Sequence, residues 1–91
     1  MSVNIKVFYP EVQRLLHDQN SVRVEGKTVG ECLQSLSAQY PGVEKWLYDA
    51  RGQLLKQVFV YVNAESLRKP TLSHPVRDTD ELILVVLVTG G

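Results

Sequence analysis

The sequence predicts an α+β fold in which a mixed sheet of four to five strands carries one main helix across one face. Three observations point there. Short runs of alternating apolar and polar residues open the chain and recur along it. One stretch, 28–40, has helical periodicity with a start and a stop signal. The run 82–88 is apolar on both faces, which suits a strand in the middle of a sheet. Ninety-one residues make one domain, without room for a separate substrate lobe.

The elements follow in order. Val3, Ile5 and Val7 alternate with Asn4, Lys6 and Phe8, a half-buried strand closed by Pro10. Val12, Leu15 and Leu16 have the spacing of a short helical turn. Val22 and Val24 alternate with Ser21, Arg23 and Glu25, giving a second strand that pairs antiparallel with the first across a long loop. Thr28-Val29-Gly30-Glu31 has capping-box spacing: Thr28 accepts from the backbone of Glu31 while Glu31 reaches back. Val29, Cys32, Leu33, Leu36 and Tyr40 then line one helical face, and Pro41-Gly42 stops the helix. Val43, Trp46 and Leu47 suggest a further helical turn, and Asp49-Ala50-Arg51-Gly52 a chain reversal.

Residues 57–63 form the next strand, with Val58, Val60 and Val62 on one face and Phe59 and Tyr61 on the other. The stretch up to Val76 holds a short edge strand or extended loop interrupted by Pro70 and Pro75. Asp78-Thr79-Asp80-Glu81 turns into the final run. With that run between the first strand and the 58–62 strand, the architecture is a β-grasp, or ubiquitin-like, fold over residues 1–88, followed by a flexible tail over 89–91. A split βαβ sandwich would need a second long helix, and no segment after Asp49 has the period for one.

Composition excludes more than it identifies. Ten Lys and Arg balance ten Asp and Glu, which argues against nucleic-acid and anionic-membrane partners. No apolar stretch approaches the roughly 20 residues that span a bilayer, and the opening residues lack the apolar core of a signal peptide. One cysteine excludes an internal disulfide framework and points to a reducing, cytoplasmic setting.

Side chains offer little chemistry. Cys32 lies among Val29, Leu33 and Leu36, the setting of a buried structural thiol rather than a nucleophile. His17 and His74 are isolated, so no metal is expected. Asp78, Asp80 and Glu81 lack the spacing and central glycine of a calcium loop and read as a solvated turn.

The remaining feature is the end of the sequence, Thr89-Gly90-Gly91. At average usage of about 7%, two such glycines arise by chance in roughly 0.5% of chains. Lacking Cβ atoms, they let a backbone enter a channel too narrow for side chains and present a bare carboxylate. A carboxylate is a poor electrophile and must first be activated, most simply by ATP as an acyl adenylate. A frayed terminus is the alternative.

The residues quoted so far resemble the MoaD/ThiS family of ubiquitin-like sulfur carriers over essentially the whole chain. The resemblance rests on Glu25-Gly26-Lys27-Thr28-Val29-Gly30 leading into the helix and Leu36-Ser37-Ala38-Gln39-Tyr40-Pro41-Gly42 leaving it. It rests further on Val58-Phe59-Val60-Tyr61-Val62-Asn63, on Asp78-Thr79-Asp80-Glu81-Leu82, and on Gly90-Gly91. Residues 49–53 and Asn63-Ala64-Glu65 are most similar to the CysO-like carriers of cysteine biosynthesis. Thr79 stands where the family usually has glycine, and Val86-Leu87 where it often has proline or small residues.

The resemblance implies that a ubiquitin-activating-enzyme-like adenylyltransferase uses ATP to adenylate Gly91. A sulfur donor then replaces AMP to leave a thiocarboxylate, while Thr89 and Gly90 thread the channel. A sulfur-accepting synthase takes the sulfur, for cysteine first, then molybdopterin or thiamine. On this reading the chain binds no cofactor and is a co-substrate rather than an enzyme, unless it is the small subunit of an enzyme such as molybdopterin synthase.

Alternation supplies a second expectation. Phe59, Tyr61, Ile83, Val85 and Leu87 point away from the helix, and a patch of roughly several hundred Å² there would mark a partner site. The alternative is that residues 12–16 or 66–76 fold over it. Two other functions stay open: a protein modifier joined to lysines through Gly91, and a non-covalent binding module.

Overall fold

The computed structural model describes residues 2–63, 65–66 and 71–86. The opening alternation becomes β1 (Ser2–Phe8), with Val3, Ile5 and Val7 fully buried and Lys6 and Phe8 exposed. The connection after it contains α1 (Pro10–Leu15), whose proline occupies the first turn, where its missing N–H costs nothing. β2 (Ser21–Glu25) returns antiparallel to β1, pairing Val3 with Val24 and Ile5 with Val22.

The main helix, α2 (Val29–Gln39), buries Val29, Cys32, Leu33 and Leu36. Thr28 caps it, its Oγ1 accepting from the Glu31 N–H at 3.1 Å. The reciprocal bond differs from a standard capping box: the Glu31 carboxylate accepts from the N–H of Lys27, at 2.8 Å, one residue before the cap. Both glycines of the lead-in owe their identity to crowding. A Cβ on Gly26 would lie 2.7 Å from the Cys32 nitrogen, and one on Gly30 would lie 3.0 Å from the Leu72 carbonyl oxygen. Gly42, at φ +104°, takes the chain out of the helix through backbone space that side chains disfavour.

A short α3 (Glu44–Leu47) follows, between the buried Val43 and Leu47. The reversal over 49–53 is closed by Asp49, whose Oδ1 accepts from the N–H groups of Arg51 and Gln53 at 2.8 and 3.1 Å. Then come β3 (Val58–Val62), the two-residue β4 (Glu65–Ser66) and β5 (Glu81–Val86).

The sheet order is β2-β1-β5-β3-β4, with β5 parallel to β1 and antiparallel to β3. The sheet is therefore mixed, and its double-sided apolar strand is central, as the sequence predicts. Leu82 and Leu84 join Val58, Val60 and the inward residues of β1 and β2 in one core beneath α2. The expected residues 87 and 88 of the last strand lie outside the described residues. Among the described residues no helix is long and apolar enough to cross a membrane.

Candidate functional site

Strand parity sends Asn4, Lys6, Phe8, Phe59, Tyr61, Glu81, Ile83 and Val85 to the face opposite α2, and register sorts them into rows. Phe8 pairs with Val85, which pairs with Phe59. One pleat further back, Lys6 pairs with Ile83 and Ile83 with Tyr61. Behind these lies a polar row in which Asn4 Nδ2 donates to Glu81 Oε2 at 3.1 Å. Lys6 Nζ sits 3.9 Å from Glu81 Oε1, at the boundary between the apolar rows and the polar one.

The apolar end of this face is open. Phe8 is 55% exposed and Phe59 39%, while Tyr61, Ile83 and Val85 are half-buried. The described stretches of the two segments that could have covered it, 12–16 and 71–76, go elsewhere. Val12 and Leu16 are completely buried in the core with the inward residues. Residues 71–76 run along the start of α2, where Leu72 and His74 carbonyls accept from Gly30 and Val29 at 2.8 and 2.9 Å. Val76 donates to the Lys27 carbonyl at 2.9 Å. The described residues therefore leave the patch uncovered.

Phe8 was missing from the sequence-derived patch. Its alternation with Asn4 and Lys6 signalled an outward side chain, but only register sets it beside Val85. The proposed patch residue Leu87 and the tail residues Thr89, Gly90 and Gly91 lie outside the described residues.

Two hydrogen-bonded features fix the far end of β3 and β5. Asn63 adopts φ +53° just after β3. Its Oδ1 accepts from Glu81 N–H at 2.9 Å and its Nδ2 donates to Asp80 Oδ1 at 2.9 Å. Asp80 Oδ2 accepts from the Arg77 N–H at 2.9 Å. That backbone bond, followed by the one from Asn63, holds the Asp80 carboxyl below its ordinary range. Thr79 is absent from the residues with positive φ, so this turn needs no glycine there.

Among the other candidate side chains, Cys32 belongs to the core. Cys32 is fully buried, and burial, then the charge of Glu31, pushes its thiol pKa up, away from nucleophilic character. His17 stacks edge-on against Tyr40 at 6.0 Å. Among the described residues no three His, Cys, Asp or Glu side chains gather as metal ligands.

Comparison with known proteins places this geometry. Residues 6–91 match the model of the ThiS family. The sulfur carrier protein CysO of Mycobacterium tuberculosis is 32% identical over 93 aligned residues, covering 98% of this chain and all of the relative. Among solved structures, the Amycolatopsis orientalis BexX/CysO complex contains a chain similar at TM-score 0.85 and 27% identity, covering 98% of this chain and 99% of that one. SAMP1 of Haloferax volcanii is similar at TM-score 0.84 and 28% identity over the whole of both chains.

Proposed function

This chain belongs to the ThiS family of ubiquitin-like sulfur carriers, and on that premise we propose that it carries sulfur as a thiocarboxylate on Gly91. The observation that carries the reading is the course of β5. The central strand carries the chain as far as Val86, next to the row of Phe8, Val85 and Phe59 that the described residues leave uncovered, five residues before Gly91.

The chemistry asks nothing of the protein's side chains. A carboxylate oxygen of Gly91 attacks the α-phosphorus of ATP in a partner adenylyltransferase, and pyrophosphate leaves. Sulfide delivered by a sulfur donor displaces AMP from the acyl carbon, so a carbon–sulfur bond replaces the carbon–oxygen bond to phosphate and the thiocarboxylate results. The thiocarboxylate sulfur is then the nucleophile toward an acceptor held by a synthase. Cysteine synthesis is the first choice of acceptor pathway because of the CysO relatives, with molybdopterin and thiamine after it. The patch gives both partners a docking surface, and the existence of a CysO complex with BexX supports such docking.

Co-expression with the cognate adenylyltransferase and a sulfur source tests the proposal by intact mass. The expected result is replacement of one oxygen by sulfur, mapped to Gly91. An unmodified terminus, with sulfur transfer indifferent to deletion of Gly91, would refute it. Similarity to SAMP1, one of the small archaeal modifier proteins, favours a second reading in which the same adenylate is passed to lysines. Gly-Gly remnants on lysine in digests of cell protein would establish it.

A further inference from the structure

Three large apolar side chains are exposed among the described residues: Phe8, Phe59 and Trp46. The topology brings all three to one end of the molecule. Phe8 and Phe59 flank Val85 on the open face. Trp46 reaches the same end from the helix side. Tyr9, the residue after Phe8, turns inward; its ring meets Trp46 edge-on at 6.1 Å and its hydroxyl donates to the Trp46 carbonyl at 3.0 Å. The Leu47 carbonyl accepts from Leu55 at 2.8 Å, and the Leu55 carbonyl from Val58 at 3.0 Å. Val58 is the β3 partner of Val86, the last residue of β5. α3 is thereby pinned beside the Val58–Val86 pair of β3 and β5.

Trp46 is held at its base yet 40% exposed, between neighbours Val43 and Leu47 that are completely buried. The core has no use for the exposed part of the ring. A rigidly based aromatic with a free edge is the kind of side chain that dominates interface energetics. With a formal net charge of zero the protein carries no net charge to steer a partner, and the exposed rings supply apolar contact area.

Resting on the carrier reading above, we propose that Trp46 is a docking anchor for the ATP-dependent enzyme that adenylates Gly91. The five residues after Val86 extend at most about 18 Å. An enzyme that reacts with Gly91 must therefore bring the mouth of its channel against the residues surrounding the end of β5. On the sheet face those are Phe8 and Phe59; on the helix side the exposed apolar residue is Trp46. The adenylating enzyme is the occupant because its acyl-adenylate is hydrolysed by water, so it must seal the tail along its length. Gripping the root of the tail from both layers of the fold achieves that seal.

Trp46 is the only tryptophan in the chain, so biosynthetic fluorotryptophan places one fluorine label at the proposed contact. Adding saturating adenylyltransferase should shift and broaden that line. Carrier-dependent ATP–pyrophosphate exchange supplies the kinetic readout. Trp46→Ala should raise KM for the carrier roughly tenfold with kcat within about twofold, and Trp46→Phe should recover most of the loss. An unchanged fluorine line at saturation, or a wild-type KM for a folded Trp46→Ala protein while the wild type exchanges normally, overturns the anchor and leaves the carrier reading intact. Absence of exchange by the wild type overturns both. A concentration-dependent change in the line of the chain alone overturns it too, by assigning Trp46 to a contact between copies. Should Trp46→Ala fail to fold, the fluorine line of the wild type decides.

Discussion

Replacing Asn63 tests how the ends of β3 and β5 are held in register. Asn63 sits at φ +53°, a region that costs most side chains roughly 1–2 kcal/mol and asparagine less. Two side-chain hydrogen bonds hold it there, from the Glu81 N–H and to Asp80 Oδ1, both 2.9 Å. Its own N–H also donates to the Glu81 carbonyl at 2.9 Å, a bond any variant keeps. The site is exposed enough for water to replace what is lost, so each side-chain bond is worth about 0.5–1 kcal/mol. Alanine adds about 1 kcal/mol of left-handed backbone strain. Asn63→Ala should therefore lose about 2–3 kcal/mol, a fall in Tm of roughly 10–20 °C for a domain of this size. Asn63→Gly loses the same hydrogen bonds without the strain and should fall about 1 kcal/mol less. Urea denaturation followed by Trp46 fluorescence measures both. Variants within about 0.5 kcal/mol of wild type would refute the hydrogen-bond argument, and equal losses for Ala and Gly would refute the strain.

Further outcomes are expected. Asp80 titrates below its ordinary value of 3.8, so its stabilising contribution is complete above that pH and is lost as pH falls through the folded value. Asp80→Asn should be less stable at neutral pH and show a shallower acid limb in pH-dependent melts. Gly26→Ala puts a Cβ 2.7 Å from the Cys32 nitrogen, backbone that cannot swing aside; a loss of about 2–3 kcal/mol is expected in the same urea assay. Cys32 should react with a thiol reagent at neutral pH about 100-fold more slowly in the native protein than in urea, since burial both shields and protonates it. Phe59→Asp strips a ring that is only 39% exposed from a paired strand, so stability should fall by about 1–3 kcal/mol while KM in pyrophosphate exchange rises for protein that remains folded.

Much of the fold was legible because its signals are local. Period-two alternation assigned β1, β2 and β3 to one buried face, and the residues that alternation names are buried in each strand except Val62, which is partly buried. The cap at Thr28 and the stop at Pro41-Gly42 bounded α2, because both act within one turn of the chain. Even the central place of β5 followed from its composition, since a strand apolar on both faces must be covered or bind something on each. The site was legible only in part. Parity puts Phe59, Tyr61, Ile83 and Val85 on the outer face, but Phe8 stands as one apolar residue in a polar alternation, and nothing local shows what it lies beside. Around α3, Val43, Trp46 and Leu47 read equally well as three inward residues, since a four-residue helix is too short to define a face.

By itself, then, the sequence determined the elements, the mixed sheet with its one main helix and the outward parity of the patch. Each is set by neighbours a few positions apart. Tertiary structure decided the rest. Register placed Phe8 against Val85, 77 positions away by the pairing, and left Glu81 beside Asn4 and Lys6. The course of residues 71–76 along α2 kept that segment from the patch. Tyr9, 37 positions away, fastened the base of Trp46. None of these has a local period, because which face is covered depends on where distant segments find donors, acceptors and space, and that is settled only when the whole core closes.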